Sequence, residues 1–301
     1  MFRCVIGLKN LKTMFGRTDV SLCILNRNGG GGLRGCISSA KHLASEIIVA
    51  DTGSSDDSPE LALSLGARVM RIKWRDDFSA ARNACLEAAR CPWILSLDTD
   101  EVLGPCDSVP FSRLLAARPN TAFVFRIRNY FISQDQPGSN ATVRFRISSS
   151  IRLFPNRIRY CYPVHESLLP ALRSRRIRVR RFATPIHHFG ALTSASARAD
   201  KHRYYAALGL KKLLQYGGHF RSYFEMGNLL LSEGDLPSAE AMFQRAIQLN
   251  PAFSQAYYFL GLAQYRRGQF EDALASVNRG VRTLQPFSGM PAFMAQSGNT
   301  L

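Results

Sequence analysis

Trp93-Ile94-Leu95-Ser96-Leu97-Asp98-Thr99-Asp100 is the stretch of this 301-residue chain that most constrains its fold. The apolar run predicts a buried strand, and it ends at once in two carboxylates on one short turn. Carboxylate oxygens are hard ligands that divalent cations prefer, together with phosphate oxygens. An isolated Asp-x-Asp pair is more often a solvated turn, so the meaning of this pair depends on its place in the sheet.

Strand and helix signals alternate around this run. Strands are predicted at Val20–Leu25, Glu46–Ala50, Arg68–Ile72 and Trp93–Leu97, and helices at 56–65 and Phe78–Ala89. Such alternation predicts a mostly parallel sheet covered on both faces. Ligands bind to these sheets beyond the carboxyl ends of the strands, and the polar clusters at 26–28, 51–57 and 98–101 all follow strand ends. One site at this edge of the sheet is therefore expected.

The pattern changes after about residue 120. Ala122–Arg128 and Thr142–Phe154 are predicted strands, and we expect them to extend the sheet at one edge as an antiparallel layer. The segment 144–181 is also rich in arginine, contains no lysine and has Glu166 as its one acidic residue. A positive field of this kind attracts anionic ligands.

The last third of the chain repeats itself at an interval of 34 residues. The aligned pairs are Phe224 with Tyr258, Gly227 with Gly261, Gly234 with Gly268, Ala239 with Ala273 and Ala246 with Gly280. This interval is the tetratricopeptide period, and small residues at these places allow paired helices to pack closely. Because roughly three repeats are needed for independent stability, we expect a preceding helix at about 197–215 to cap the two repeats or dock them on the first domain.

Composition narrows the class of protein without naming it. Lys+Arg 39 against Asp+Glu 22 gives a formal net charge of +17, which suits nucleic acid, an anionic membrane or a phosphorylated substrate. The seven cysteines lack the spacing of a zinc knuckle or a disulfide framework, which favours a reducing cytoplasm. No apolar run approaches the roughly 18 residues of a membrane span. We expect a cytoplasmic protein, with peripheral attachment to the inner face of the membrane as a second option.

Two further segments bring polar residues to the predicted site. In Asp51–Asp56, the residues Ser54, Ser55 or Asp56 can cap the following helix, whereas Asp51 precedes the cap and is placed to bind a base or ribose. Arg82 lies near the start of a helix, where a guanidinium group suits phosphate, although a surface arginine is an equal alternative.

These segments together resemble family 2 glycosyltransferases. The stretches that carry the resemblance are Ser21–Leu25, Glu46–Asp56, Trp74–Asn83 and Trp93–Glu101. Asp76-Asp77-Phe78-Ser79, continued by Ala81-Arg82-Asn83, is typical of a bacterial branch that often carries C-terminal tetratricopeptide repeats. That branch includes peptide glycosyltransferases and lipopolysaccharide-core glucosyltransferases. The resemblance is close from about 20 to 104 and looser through Val164–Glu166 and Ile186–Gly190.

The resemblance implies an α/β fold of the GT-A type, with a nucleotide-sugar-binding mixed sheet and a C-terminal all-α module of tetratricopeptide-like repeats. Residues implied to bind the nucleotide sugar are Asn28, Asp51, Ser54, Asp77, Arg82 and Asp98. Asp98, Asp100 and His188 would hold Mg²⁺ or Mn²⁺, which neutralises charge on the departing diphosphate. The implied reaction is inverting transfer from a nucleoside-diphosphate sugar, with a UDP-sugar favoured, to a glycan, glycolipid or peptide acceptor. The arginine-rich segment favours an anionic acceptor.

Inversion by direct displacement needs a base for the acceptor hydroxyl. Glu166 is the candidate base, with His165 beside it, although a His-Glu pair on a loop is more often an ordinary polar contact. His188 has an equally plausible alternative as a partly buried, hydrogen-bonded histidine.

One departure from the family pattern leaves a second hypothesis open. The branch usually has Lys-Asn-Glu-Glu after the first strand, whereas this chain has Arg27-Asn28 followed by Gly29–Gly32. Four glycines add backbone N–H groups that can cradle a phosphate. The alternative is a catalytically silent GT-A domain whose repeats act as a protein-interaction scaffold. A nucleotidyltransferase would share the sheet and the metal-binding carboxylates, but the later motifs of this chain do not fit that class of enzyme.

The expected organisation is an N-terminal extension (1–18), a GT-A domain (19–195), a helical repeat module (196–286) and a flexible tail (287–301). The repeats are expected to bind a protein partner or a second copy of the chain. Nucleic acid is not expected, because the arginines lack an interleaved platform of stacking aromatic residues.

Overall fold

The structure of the protein is a computed structural model that describes residues 19–116, 118, 120–133, 142–163, 166–190, 204, 208–209, 213–214 and 219–283. The predicted N-terminal extension, the predicted tail and most of the predicted helix at 197–215 lie outside these residues. The chain divides into two units, the first ending at Thr193 and the second beginning at Ser194. No helix in the described part of the chain is long and apolar enough to cross a membrane.

Parallel strands and their connecting helices form the first half of the first unit. They are β1 (Val20–Asn26), α1 (Gly30–Ala40), β2 (Glu46–Asp51), α2 (Ser58–Ser64), β3 (Arg68–Arg71), α3 (Phe78–Ala88) and β4 (Trp93–Asp98). The strands pair in the order β3-β2-β1-β4, all parallel. Successive side chains of a strand point to opposite faces, so Leu22 joins the core beneath α1 while Cys23 joins the core that contains Cys85 of α3. The predicted sheet with two covered faces is confirmed.

The second half of this unit extends the sheet past β4. Its elements are β5 (Glu101–Leu103), α4 (Ser108–Ala116), β6 (Thr121–Ser133), β7 (Thr142–Pro155), α5 (Leu169–Ser174), β8 (Arg178–Arg181) and β9 (Ile186–His188). Strand β7 pairs antiparallel with β4 and with β6, as expected for an antiparallel extension. Strands β8 and β9 add parallel pairs with β6 that the sequence did not predict.

The glycine run after β1 begins a helix, so its backbone N–H groups lie at a helix N-terminus. Gly30–Gly32 form the first turn of α1, with Gly29 at its N-cap position. Glycine is needed at two of these positions because the packing is close. A Cβ at Gly29 would lie 2.9 Å from Thr99 Cγ2, and one at Gly32 would lie 2.9 Å from the carbonyl oxygen of Thr99. The glycines therefore let α1 press against the turn that carries Asp98 and Asp100.

The second unit contains two helical hairpins. They are formed by α6 (Phe220–Glu233) with α7 (Leu236–Leu249) and by α8 (Ser254–Arg266) with α9 (Phe270–Thr283). Gly234 and Gly268 follow the first helix of each pair with φ of 86° and 78°, the left-handed conformation that ends a helix most readily at glycine. A Cβ at Gly261 would lie 2.7 Å from Val277 and 3.0 Å from the Ala273 carbonyl oxygen. The predicted repeat and its close helix contacts are confirmed.

Gly261→Ala should destabilise the second hairpin by about 1–3 kcal/mol, because the added methyl group meets a backbone oxygen that cannot move alone. The measurement is amide hydrogen exchange in α8 and α9, which should become faster. Gly31→Ala is the matched control, since a Cβ there meets nothing within 4 Å. Unchanged exchange in Gly261→Ala would contradict the close packing.

Candidate active site

The carboxyl ends of β1, β2 and β4 bring the predicted acidic residues to one edge of the sheet. Asn26 is paired with Asp51 across β1 and β2, and Leu25 is paired with Asp98 across β1 and β4. The two carboxylates therefore flank the end of β1, as the pattern of strand ends predicted.

Asn26 is the buried centre of the first polar cluster. Its Nδ2 donates to Asp51 Oδ1 at 2.9 Å, to Ser54 Oγ at 3.0 Å and to Ser58 Oγ at 2.8 Å. Asp51 Oδ2 accepts from the backbone N–H groups of Gly53 and Ser54, each at 3.2 Å. The loop after β2 is thus folded around the Asp51 carboxylate.

Burial alone would raise the pKa of Asp51, but hydrogen bonds from Ser54, Asn26 and Gly53 outweigh it and lower this pKa. The carboxylate faces a cavity of about 380 Å³. Its lining includes Gly53, Ser54, Arg71, Ile72 and Lys73. Two cations (Arg71 and Lys73) and three carboxylates (Asp51, Asp56 and Glu60) thus line one cavity. Such a lining suits a polar ligand that combines hydroxyl or N–H donors with phosphate oxygens, such as a nucleotide.

Asn28 and Asp77 have structural contacts in addition to their predicted binding role. Asn28 Oδ1 accepts from the Ser55 N–H at 2.7 Å, and Gly30 N–H donates to Asp56 Oδ2 at 3.1 Å. Asp77 is the N-cap of α3, accepting from the Ala80 N–H at 2.8 Å. The predicted caps of α2 were wrong: its N-cap position is Asp57, and Asp56 instead accepts from Ser58.

Asp98 lies between two guanidinium groups. Arg82 Nη2 donates to Oδ1 at 2.5 Å, and Arg152 Nη2 donates to Oδ2 at 2.9 Å. Burial opposes ionisation of Asp98, but the charges of the two arginines prevail and lower its pKa well below the usual range. Both oxygens of this predicted metal and nucleotide ligand are therefore occupied by protein cations.

The same two arginines hold two further carboxylates. Arg82 Nε donates to Glu166 Oε1 at 2.6 Å, and Arg152 donates to Glu101 Oε1 at 2.6 Å. Glu101 is 2% exposed, and its other oxygen accepts from the Asp98 N–H at 3.0 Å. Burial raises the pKa of Glu101 despite the attraction of Arg152. The candidate base Glu166 is thus tied to Asp98 through Arg82, whereas His165 lies outside the described residues.

Asp100 forms a separate contact with His188, whose Nε2 lies 3.3 Å from Asp100 Oδ2. His188 Nδ1 lies 2.9 Å from Asn129 Oδ1, a bond that fixes Nδ1 as the donor and turns Nε2 towards Asp100. The hydrogen bond to Asp100 raises the pKa of His188. Gly190 makes room for this pair, because a Cβ there would lie 2.8 Å from His188 Nε2.

The three predicted metal ligands are not gathered as one set. Within the described ranges, no group of three or more His, Cys, Asp or Glu side chains is arranged to hold a metal ion. Asp100 and His188 face each other, while Asp98 faces the arginines. Two protein ligands are still consistent with Mg²⁺, which commonly binds one or two carboxylates plus substrate phosphates and water.

The fold and this acidic edge define a GT-A domain followed by helical repeats. The chain belongs to glycosyl transferase family 2, whose family model matches residues 21–191, and residues 224–288 match the tetratricopeptide repeat.

Relatives of known name agree with both parts. A TPR repeat-containing protein of Synechococcus elongatus is 32% identical over 85% of this chain and 64% of its own length. The SPbeta prophage-derived glycosyltransferase SunS of Bacillus subtilis is 29% identical over 33% of this chain and 24% of its own. The chain spans less than two thirds of either relative. The crystal structure of S. aureus TarS covers 86% of this chain and 55% of its own with a TM-score of 0.50 and 13% identity, a likeness of fold.

Sequence reasoning gave Asn26 and Glu101 no role of their own, although both lie in the predicted polar clusters at 26–28 and 98–101, and it missed Asn129 and Arg152 as members of the site. Asn26 and Glu101 had a usable signal, since each adjoins a strand end that the sequence placed correctly. Arg152 did not, because it is one of many arginines in its segment and its partner Asp98 is 54 residues away.

Arg152→Met should destabilise the first unit by about 3–5 kcal/mol at neutral pH, because it leaves Glu101 buried and unpaired. The pKa of Glu101 is already raised, and losing Arg152 raises it further. The penalty is therefore full when Glu101 must be ionised and shrinks as the pH falls towards about 4, where this residue is protonated in both states.

Urea unfolding at neutral and acidic pH measures this change. Arg157→Met, which removes an exposed contact with Asn120, is the control and should change stability by less than about 0.5 kcal/mol. A pH-independent loss in Arg152→Met would contradict the role of Glu101.

Proposed function

We propose that this chain transfers a sugar from a nucleoside-diphosphate sugar, with inversion at the anomeric carbon, to a glycan, glycolipid or peptide acceptor. The observation that carries the proposal is the convergence of a cavity lined by Asp51, Arg71 and Lys73 and the Asp100–His188 pair on one edge of a family 2 sheet. A UDP-sugar is the favoured donor.

The cavity beside Asp51 is the proposed nucleoside site. Asp51 has a lowered pKa and is therefore ionised, and a ribose hydroxyl or base N–H group would take the place of one of the donors that bind its two oxygens within the chain. Arg71 and Lys73 line the same cavity and supply positive charge for a diphosphate. Ser54 orients Asp51 from the other side, with its Oγ 2.5 Å from Asp51 Oδ1.

Asp100 and His188 fit the Mg²⁺ or Mn²⁺ that the family commonly uses. A cation that displaces the proton between His188 Nε2 and Asp100 would have a hard carboxylate and an imidazole nitrogen as donors. Asn129 keeps the other ring proton on Nδ1, and Gly190 leaves space beside both groups. A bound cation would neutralise the charge that develops on the leaving diphosphate. Asp98 contributes to this proposed site by positioning Arg82 and Arg152.

Glu166 is the proposed base for the acceptor hydroxyl. Arg82 binds its Oε1, which fixes the carboxylate and leaves Oε2 with no hydrogen bond to any described residue. A fixed carboxylate with one open oxygen can receive the proton of the attacking hydroxyl. Its side chain is 16% exposed, so an acceptor can reach it.

The arginine-rich segment supports an anionic acceptor, and the repeats support a protein partner or self-association. We place the protein in the cytoplasm. The second candidate function remains a catalytically silent GT-A domain that serves as a scaffold. The occupation of both Asp98 oxygens by arginines and the loss of carboxylates at Gly29–Gly32 favour it.

Asp100→Ala should abolish transfer and weaken Mn²⁺-dependent UDP binding, because it removes the carboxylate of the proposed cation site. The experiment is donor hydrolysis with a panel of UDP-, GDP- and dTDP-sugars, combined with calorimetry of UDP plus Mn²⁺. Glu87→Ala removes an exposed carboxylate elsewhere and should change neither. Absence of heat with the unmodified protein would select the scaffold, and full turnover by Asp100→Ala would exclude the proposed cation site.

Glu166→Gln should lower transfer by about 10²–10⁴-fold while leaving UDP binding unchanged, because the amide keeps the contact with Arg82 but cannot take up a proton. Single-turnover rates and calorimetry separate the two effects. Glu240→Gln in the second unit is the control. Equal losses in rate and UDP affinity would show that Glu166 acts on donor binding instead of as the base.

A further inference from the structure

The β6–β7 hairpin presents two different faces. Cross-strand partners point to the same side of a sheet, and the register pairs Arg128 with Ile147, Tyr130 with Phe145 and Ile132 with Val143. One face of the hairpin is therefore mostly apolar. We call it the apolar hairpin face, and its members are Tyr130, Ile132, Val143, Phe145 and Ile147.

This face is exposed to an unusual degree. Ile132, Val143, Phe145 and Ile147 are 58%, 65%, 46% and 56% exposed. Single exposed hydrophobic residues are ordinary on a protein surface, but here cross-strand and same-strand neighbours form one continuous patch. Tyr130 stacks on Phe189 at a centroid distance of 5.1 Å, and Phe189 is itself 40% exposed. The patch continues onto the residue after β9.

Arginines border this patch at the end nearer the body of the sheet. Arg126 and Arg128 lie on the same face nearer the body of the sheet, and neither strand contains an acidic residue. The Arg128 guanidinium lies 5.4 Å from the centre of the Phe145 ring, and Arg146 on the other face lies 4.9 Å from Phe131. Aliphatic side chains bordered by guanidinium groups match the boundary between lipid headgroups and acyl chains.

We propose that the apolar hairpin face docks on the surface of an anionic lipid bilayer. The apolar side chains enter the headgroup boundary, and the arginines of the same face bind lipid phosphates. The net charge of +17 complements an extended anionic surface.

Nucleic acid fits this face less well. Single-stranded bases stack on open aromatic rings, whereas three of the five residues of the face are aliphatic and the Phe145 ring is covered on one side by Arg128. A protein partner would need a groove that is both acidic and apolar.

Docking would also position the candidate active site. Asn129, which holds His188, lies on the opposite face of β6 between Arg128 and Tyr130. The strand that contacts the bilayer would therefore be the strand that orients a residue of the site. The lipid contact does not depend on the proposed sugar transfer and is tested without it.

Vesicle co-sedimentation of the full chain tests the proposal. The protein should bind vesicles of phosphatidylcholine mixed with phosphatidylglycerol, and bind vesicles of phosphatidylcholine alone weakly. Binding should weaken as salt rises, because the arginine contribution is screened. The triple change Val143→Ser, Phe145→Ser and Ile147→Ser should weaken binding to the anionic vesicles by about tenfold or more.

A matched control removes equally exposed apolar side chains from the second unit. Tyr265, Leu274 and Val281 are 60%, 65% and 59% exposed, and their change to serine should leave vesicle binding unaltered. Arg126→Gln with Arg128→Gln should lose anionic selectivity, whereas Arg279→Gln with Arg282→Gln should keep it. Circular dichroism establishes that each variant is folded.

Phe145→Trp reports lipid contact at this position directly and does not rely on a loss of vesicle binding. Its fluorescence should shift to the blue on adding anionic vesicles, and that of Leu274→Trp should not. The proposal is overturned if the unmodified protein does not bind anionic vesicles, or if the hairpin and control triple variants bind them equally. It is also overturned if random single-stranded DNA or an acidic peptide competes with the vesicles while the fluorescence of Phe145→Trp does not change.

Discussion

The clamping of Asp98 between Arg82 and Arg152 is the interaction on which the rest of the first unit depends. Charged groups that leave water lose several kcal/mol of hydration each, and they are tolerated only when partners of opposite charge are close and well aligned. Arg82 and Arg152 have side chains only 8% and 11% exposed. Through these contacts α3 and β7 are both fixed to the end of β4, so the turn that carries Asp100 has one defined position.

The parts of the fold that could be predicted are those with a local cause. An apolar run bounded by turn residues specifies a strand, and a glycine with positive φ ends a helix, so β1 to β4 and the repeat hairpins followed from the sequence. The packing role of the glycine run could not be predicted because its cause is not local. Gly29 and Gly32 are needed where α1 meets Thr99, and nothing near residue 30 indicates that contact. Arg152 was missed for the same reason, since only the folded sheet brings it to Asp98.

Strand β6 contributes residues both to the candidate active site and to the apolar hairpin face. Alternation along a strand places Asn129 on one face and Tyr130 on the other. Asn129 binds His188, while Tyr130 Oη lies 2.8 Å from His187 Nδ1 and its ring stacks on Phe189. Two successive histidines of β9 are thus held by two successive residues of β6. The strand that carries the apolar hairpin face is therefore also the strand that orients His188 towards Asp100.

The charge balance at the edge of the sheet explains how a chain that lacks the usual acidic pair after β1 can still suit a diphosphate. A diphosphate is repelled by free carboxylates and attracted by cations. Asp98 is neutralised by two arginines, and glycines replace the acidic pair. Asp100, on the same turn as Asp98, contacts a titratable histidine instead of an arginine. Under the proposed function, Asp100 and His188 are then the two protein ligands of the cation. Arg71 and Lys73 line the neighbouring cavity together with the carboxylates of Asp51, Asp56 and Glu60. The site would hold its donor through fixed cations and use the metal mainly when negative charge develops on the leaving group.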